Sequence, residues 1–229
     1  MKKIYGYYFI AAINSFKELV IEQTQRLFSS ELFSKTDKLF IRIYYEKTED
    51  QEFLVNYFNS FQKIELSFTN QNEFEFGTLN MIKNMSNLDD FYCYYFHTKG
   101  VSITQENYKK YKVNDFEVLK QNVDSWRKIM EYFLIEKFKE NVNKLGTKVD
   151  CVGINLKPTP KTEFYHYSGN FWWSKSSYIK KIPSINTLNL TYRWDAEFWL
   201  GYASGNMFSY PFGKKIGYKH RVYVDDYRI

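Results

Sequence analysis

The chain has 229 residues, enough for one large domain or two small ones, and its 44% apolar and 25% charged content excludes a disordered, collagen-like or coiled-coil protein. Its net charge of +6 comes from 32 basic and 26 acidic residues that are interleaved along the chain, which argues against a nucleic-acid partner and fits a small anionic ligand. The two cysteines lack metal-type spacing, and no stretch approaches the ~20 apolar residues of a membrane span.

The first apolar segment, Ile4–Ile13, follows Met1-Lys2-Lys3 and so imitates a signal peptide. Its core carries Tyr5, Tyr7 and Tyr8, and no small-residue cleavage site follows. We therefore interpret it as a buried strand and expect a cytoplasmic protein without a signal peptide.

Strand and helix then alternate up to about residue 100. The predicted elements are a strand over 4–13, a helix from Ser15, a strand over 39–45, a helix around 53–58, a strand over 64–68, a helix over 76–85 and a strand over 91–96. Repeated strand–helix units of this length are typical of an α/β domain. We expect a mostly parallel central sheet flanked by helices.

The second half is less regular. The predicted elements are a helix over 114–145, kinked or split, a strand over 149–155, a loop over 157–160, a strand over 164–173, a helix ending at 181 and a helix over 194–202. No linker or internal repeat interrupts this series, so we expect one domain over residues 1–229.

Four residues at the end of the fourth predicted strand are the first candidates for a ligand site: His97, Thr98, Lys99 and Gly100. Ligands of open α/β sheets bind beyond the carboxyl ends of the strands. Lys99 supplies positive charge, His97 and Thr98 can hydrogen-bond phosphate or sugar oxygens, and Gly100 permits a sharp turn. The alternative is a solvated turn with an incidental lysine.

Aromatic residues make up 21% of the chain, through either the codon usage of an AT-rich genome or a surface that stacks on planar ligands. Their densest cluster runs from residue 166 to 173, and its polar members and tryptophans suit a sugar. Successive strand residues point to opposite faces, so one tryptophan can be core while the other lines a cleft. Two core tryptophans are the alternative. The cluster consists of His166, Tyr167, Ser168, Gly169, Asn170, Phe171, Trp172 and Trp173.

The last predicted helix opens with Asp195 and Glu197, and either carboxylate could act as a general base on an acceptor hydroxyl. The alternative is a pair of acids that complements the helix dipole. The three histidines, His97, His166 and His220, lack zinc spacing, and the sequence contains no GxSxG, GxGxxG or P-loop motif.

An ordered series of segments resembles the GT-A-like glycosyltransferases of large DNA viruses and bacterial surface-polysaccharide clusters, which are distantly related to rhamnan-synthesis proteins. It covers roughly residues 4–205, and its specific segments are 97–100 and 166–173. Its remaining members are Ser15 to Arg26 with Gln23, 74–79, Trp126-Arg127 with Met130, Val152-Gly153, and Arg193 to Leu200.

The resemblance implies a GT-A α/β fold with a nucleotide-binding half over about 1–100 and an acceptor half over about 101–229. It implies transfer of a sugar from a nucleotide-sugar donor, with a UDP-sugar expected, to a glycan or glycoprotein hydroxyl. In a virus the location would be the host cytoplasm. The donor-binding residues would be Asn14, Glu75, Thr78, His97, Thr98, Lys99, Gly100 and Arg127, and residues 166–173 would shape the sugar and acceptor pocket.

The sequence departs from the family at its metal site. Residues 97–100 stand where GT-A enzymes carry Asp-x-Asp for Mn²⁺ or Mg²⁺. Either Lys99, with Arg127 or His220, neutralises the diphosphate without metal, or a metal binds through fewer ligands, with His97 or His220 as candidates. A single-displacement, inverting reaction with Glu197 or Asp195 as base is the expected mechanism. The alternative function is a non-catalytic carbohydrate- or RNA-binding module.

Overall fold

The computed structural model describes residues 2–160, 162–188 and 192–228, and its first half alternates strand and helix as the sequence predicts. All four predicted strands of this half are present within two residues of their expected bounds. The elements are β1 (Lys3–Ala12), α1 (Phe16–Phe28), α2 (Glu31–Lys35), β2 (Lys38–Tyr45), α3 (Thr48–Phe58), β3 (Ile64–Thr69), α4 (Phe76–Leu88) and β4 (Phe91–His97).

The second half differs more from the prediction. The long helix is split, because a π-helical turn over Tyr132–Glu136 separates α5 (Phe116–Glu131) from α6 (Phe138–Leu145). The predicted strand 164–173 is two strands, since a turn at Gly169 and Asn170 interrupts it. The remaining elements are β5 (Cys151–Gly153), β6 (Leu156–Pro158), β7 (Tyr165–Tyr167), β8 (Trp172–Lys175), α7 (Ser176–Ile179), α8 (Asp195–Phe198), β9 (Met207–Ser209) and 3-10 turns over Tyr108–Tyr111, Ile185–Thr187, Trp199–Tyr202 and Val224–Asp226.

The central sheet has seven strands in the order β3-β2-β1-β4-β8-β5-β9. Strands β1 to β4 pair in parallel, so their carboxyl ends lie at one edge. Strand β8 runs antiparallel to β4, with Trp172 opposite Tyr95. The turn that precedes β8 therefore reaches the edge at which β4 ends. The predicted fold class, α/β with a mostly parallel sheet flanked by helices, is confirmed.

Apolar side chains cover both faces of the sheet. One face packs against α1, α3, α5 and α6, and the other packs against α4, α7 and α8. Trp173 lies in the first core and Trp172 in the second, and both are fully buried. The expectation that one of them lines a cleft is wrong, because both sheet faces are covered at this strand.

Phenol and phenyl rings fill much of this core. Tyr8 stacks on Phe96 with ring centroids 4.2 Å apart, and the Tyr8 hydroxyl donates to Gln23. Cys93 and Cys151 are buried free thiols. Among the described residues, no helix is both long and apolar enough to cross a membrane.

Candidate functional site

A cavity of about 500 Å³ opens at the carboxyl ends of β1, β2 and β4. This is the edge at which open α/β sheets bind ligands. Six residues that the sequence singled out line the cavity: Glu75, His97, Thr98, Lys99, Gly100 and Glu197.

The turn after β4 is fixed to β1 by hydrogen bonds. The Thr98 amide donates to the Phe9 carbonyl at 3.1 Å, and the Thr98 hydroxyl accepts from the Ala11 amide at 3.0 Å. Gly100 has φ +96°, and a Cβ there would lie 2.7 Å from Val123 of α5. Gly100 is therefore needed both for the backbone conformation and for close packing.

Lys99 is buried in the cavity wall with 6% of its surface exposed. Its ammonium lies 3.9 Å from the centroid of the Trp126 ring and 5.9 Å from that of Tyr218. Burial lowers the pKa of Lys99, and the charges of Glu197 and Glu75 oppose that shift. Within the described part of the chain, no carboxylate lies within 4.0 Å of this ammonium and no side chain or carbonyl accepts from it.

Glu75 and His97 form a second polar wall. One Glu75 oxygen, Oε2, accepts from the Tyr95 hydroxyl at 2.7 Å and from Asn170 Nδ2 at 2.6 Å. The other oxygen, Oε1, lies 3.9 Å from His97 Nδ1. Burial raises the pKa of the Glu75 carboxyl.

The tautomer of His97 follows from its partner. Its Nε2 lies 3.1 Å from the Gly169 carbonyl, which can only accept, so Nε2 carries the hydrogen. Burial, and then the charge of Lys99, lowers the pKa of His97 to about 3, so the ring is neutral at physiological pH. Its Nδ1 is then an acceptor that faces the Glu75 carboxyl. Two facing acceptors at the cavity wall suit a ligand hydroxyl, which can donate to either.

The turn at Gly169 and Asn170 lies behind this wall and holds it in place. Both residues have positive φ, at 101° and 58°. The Gly169 amide donates to Glu197 Oε2 at 3.1 Å, while its carbonyl accepts from His97. A Cβ at Gly169 would lie 2.4 Å from the Met130 sulfur. The Gly169 backbone therefore orients His97 and Glu197, and the Asn170 side chain holds Glu75, although neither Gly169 nor Asn170 lines the cavity.

None of the residues predicted to shape the sugar and acceptor pocket lines the cavity. Asn170 and Trp172 hydrogen-bond each other at 2.8 Å, the Tyr167 hydroxyl donates to the Phe208 carbonyl, and Trp173 donates to the Leu134 carbonyl. The Ser168 amide donates to the Asn155 carbonyl, and His166 packs edge-on against Phe198. Burial lowers the pKa of His166. The segment 166–173 therefore belongs to the core and supports the cavity wall from behind.

Arg127 also lies away from the cavity. Its Nη1 donates to Glu131 at 2.9 Å and its Nη2 to Glu22 at 2.9 Å, and it pairs closely with Asp124. Arg26 binds the second oxygen of Glu131 at 2.9 Å. These carboxylates neutralise Arg127 within the fold, and it does not line the cavity.

Four further predicted residues do not line the cavity. The Asn14 side chain donates to the Val101 carbonyl at 2.8 Å and so supports the turn after β4. Thr78 is buried within α4, and His220 is exposed near the carboxyl terminus. Asp195 is fully buried, and its Oδ2 accepts from the Tyr192 amide at 3.1 Å.

The model of a family described as a domain of unknown function (DUF8361) matches this chain over residues 9–201. The chain belongs to the DUF8361 family. The matched range contains all the residues that line the cavity except Tyr218. No curated protein matches the chain.

Two solved structures are among those similar to this DUF8361 chain. The 4-diphosphocytidyl-2C-methyl-D-erythritol synthase of Anaerococcus prevotii DSM 20548 is 10% identical with a TM-score of 0.49, over 98% of this chain and 92% of that one. A second structure of a synthase with this name is 11% identical with a TM-score of 0.43, over 91% and 89%.

The DUF8361 cavity also contains Lys110, which the sequence prediction missed, and Arg193 and Trp194, which belong to the segment 193–200 that the sequence singled out. Arg193 donates to the Ser102 hydroxyl at 2.9 Å, and Lys110 reaches the cavity from the 3-10 turn over Tyr108–Tyr111. Trp194 lies at the rim, 54% exposed, and stacks on Tyr192 at 5.1 Å. The alternation of aromatic and basic residues in both segments was the signal available in the sequence.

The residues of the cavity do not fit a divalent cation. Among residues 2–160, 162–188 and 192–228, no group of three or more His, Cys, Asp or Glu side chains is arranged so that it could hold a metal ion. Lys99 places an ammonium in the wall, and His97 uses Nε2 to hold Gly169. His220 is not part of the cavity lining.

Proposed function

We propose that the chain is a glycosyltransferase that moves a sugar from a nucleotide-sugar donor to a hydroxyl of a glycan or glycoprotein. One observation carries this proposal: a cavity at the carboxyl edge of a parallel sheet presents the buried, unpaired ammonium of Lys99 beside the carboxylates of Glu75 and Glu197. A cation stabilises a leaving diphosphate, and a carboxylate can take a proton from an acceptor.

We match each part of the proposed donor to the residues of the cavity wall whose chemistry suits it. The anionic diphosphate lies at Lys99, since this is the most deeply buried cation of the cavity. Glu75 and His97 accept from hydroxyls of the sugar or ribose. The ordered resemblance to GT-A-like glycosyltransferases supports a nucleotide sugar as the ligand, with a UDP-sugar expected.

Glu197 is the proposed base. Its Oε2 is held by the Gly169 amide, which leaves Oε1 for an acceptor. In the proposed single displacement, the acceptor oxygen forms a bond to the anomeric carbon while that carbon's bond to the diphosphate oxygen breaks. The bonding electron pair leaves with the diphosphate and the acceptor proton passes to Glu197. Attack from the opposite face inverts the anomeric centre.

Thermal unfolding with UDP-, GDP- and dTDP-sugars tests the proposal, followed by detection of the released nucleotide diphosphate. A ligand at one hundred times its Kd adds about 2.7 kcal/mol to the free energy of unfolding, which is a rise in Tm of roughly 5–10 °C for a chain of this size. A stabilising sugar nucleotide that is also turned over supports the proposal.

The opposing outcomes identify the alternatives. Stabilisation by free glycans without turnover of any nucleotide sugar indicates a carbohydrate-binding module. A salt-sensitive shift with an oligonucleotide, with none for nucleotide sugars, indicates an RNA-binding module and refutes the enzyme.

A further inference from the structure

The charge of Lys99 is stabilised without being neutralised. An indole face attracts a cation electrostatically, but it carries no net negative charge. The Lys99 ammonium lies 3.9 Å from the Trp126 ring centroid. Within the described part of the chain, no protein atom accepts a hydrogen bond from it. A buried donor that faces a cavity and has no partner marks the place of an acceptor from outside the chain.

A second cation lies close enough to act on the first. Arg193 lines the same cavity, and its positive charge is among the causes that lower the pKa of Lys99. Bringing two like charges together costs free energy in the empty cavity, and an anion between them recovers it. Arg193 Nη1 is directed by its hydrogen bond to Ser102, which leaves the other guanidinium N–H groups for a ligand.

Each carboxylate of the cavity has one oxygen held by hydrogen bonds within the protein. Glu75 Oε2 accepts from Tyr95 and Asn170, and Glu197 Oε2 accepts from the Gly169 amide. Neither forms an ion pair with Lys99 within 4.0 Å. A divalent cation requires several oxygen or nitrogen ligands around one point, and the described side chains form no such group.

We propose that Lys99 and Arg193 bind the diphosphate of the donor directly, in the role that a divalent cation has in metal-dependent glycosyltransferases. Donor binding and turnover are then independent of metal. This inference rests on the proposed function for the identity of the donor. The anion site itself is defined by the two cations and holds for any ligand with adjacent phosphates.

Calorimetric titration with inorganic pyrophosphate and with UDP tests the site, in EDTA and again with Mn²⁺. The wild-type affinity is expected to agree within about twofold between the two conditions. Lys99→Met keeps the length and apolar stem of the side chain, and it is expected to weaken both ligands by about 30-fold or more, since truncating one partner of a buried charge pair costs about 2–5 kcal/mol. Arg193→Gln is expected to weaken them by a smaller factor because Arg193 is exposed.

The matched control is Lys120→Met, which removes the same charge from the exposed face of α5. It is expected to bind both ligands like the wild type. Thermal unfolding of each variant shows whether it is folded. If Lys99→Met does not fold, Arg193→Gln decides, and wild-type affinity for both ligands in that variant refutes the site. Loss of wild-type binding in EDTA also refutes it.

Failure of this inference and failure of the proposed function differ in their results. Glycosyl transfer that requires Mn²⁺ preserves the function and refutes the metal-free site. Binding of pyrophosphate that depends on Lys99 but not on metal, with no turnover of any nucleotide sugar, preserves the site and refutes the glycosyltransferase.

Discussion

Replacing Arg127 separates a structural role from a role in donor binding. Arg127 is 4% exposed and Glu131 is 1% exposed, so Arg127→Met leaves a buried carboxylate without one of its two arginines. Breaking a buried ion pair costs about 3–5 kcal/mol. The lower end applies here, because Arg26 and Gln23 still hold Glu131. The partners Glu22 and Asp124 are two-fifths exposed or more, so each pair adds less than about 1 kcal/mol.

A loss of about 3 kcal/mol corresponds to a fall in Tm of roughly 6–12 °C for a chain of this length. Denaturant and thermal unfolding measure that loss, and titration with UDP on the folded variant is expected to give the wild-type affinity within about twofold. The control, Arg221→Met, removes an exposed arginine that contacts Gln121, and it is expected to change stability by less than about 0.5 kcal/mol. A variant of Arg127 with wild-type stability and lost UDP binding would return this residue to the donor site.

The remaining predictions concern the cavity wall. Glu197→Gln is expected to lower turnover by about 100-fold or more while preserving donor affinity, because it removes a base but not a cation. Gly169→Ala is expected to cost about 1–3 kcal/mol and to reduce turnover, since φ is +101° and the turn orients two cavity side chains. His97 takes up a proton in the unfolded chain near its ordinary pKa of 6.5, but in the folded chain only near 3. Above pH 6.5 His97 is neutral in both states and does not oppose folding. As the pH falls from 6.5 towards 3, the free energy of unfolding decreases by about 1.4 kcal/mol per pH unit. In His97→Gln, the free energy of unfolding measured with urea should fall less steeply between pH 6.5 and pH 3 than in the wild type.

The variants of Gly169 and His97 each have a control in the same chain. A Cβ at Gly213 would have no heavy atom within 4 Å, so Gly213→Ala should leave stability and turnover unchanged. His220 is exposed, so His220→Gln should keep the wild-type decrease in the free energy of unfolding at acidic pH. Unchanged turnover in Glu197→Gln would refute Glu197 as the base. An unchanged pH dependence of stability in His97→Gln would contradict the burial cost assigned to His97.

The sequence was most informative where one local pattern determines the structure. Alternation of strand and helix gave the first four strands, and the end of β4 placed His97 to Gly100 at the sheet edge where the cavity lies. These inferences need only periodicity and the general rule for parallel sheets.

The sequence was least informative where the environment of a side chain is assembled from distant segments. Arg127 was assigned to the donor site, although Asp124 and Glu131 stand three and four residues from it on the same helix. That spacing predicts ion pairs within the helix. The second arginine that binds Glu131, Arg26, comes from α1, which no local pattern reveals.

The interrupted strand at 164–173 has a similar explanation. Gly169 and Asn170 are the residue types that adopt positive φ most readily, so this pair indicated a turn rather than a continuous strand. Its support of His97 and Glu197 depends on β8 running antiparallel to β4, and that pairing is a property of the whole sheet.

The buried tyrosines of the core give the protein an intrinsic absorbance signal for its unfolding. Burial raises the pKa of six fully buried tyrosines, which are Tyr7, Tyr8, Tyr94, Tyr95, Tyr167 and Tyr178. In the unfolded chain each loses its proton near pH 10, so folding stability declines as alkalinity increases beyond that point. Tyrosinate absorbance from these rings would consequently rise together with global unfolding, and a rapid jump to alkaline pH would time that event without any added dye.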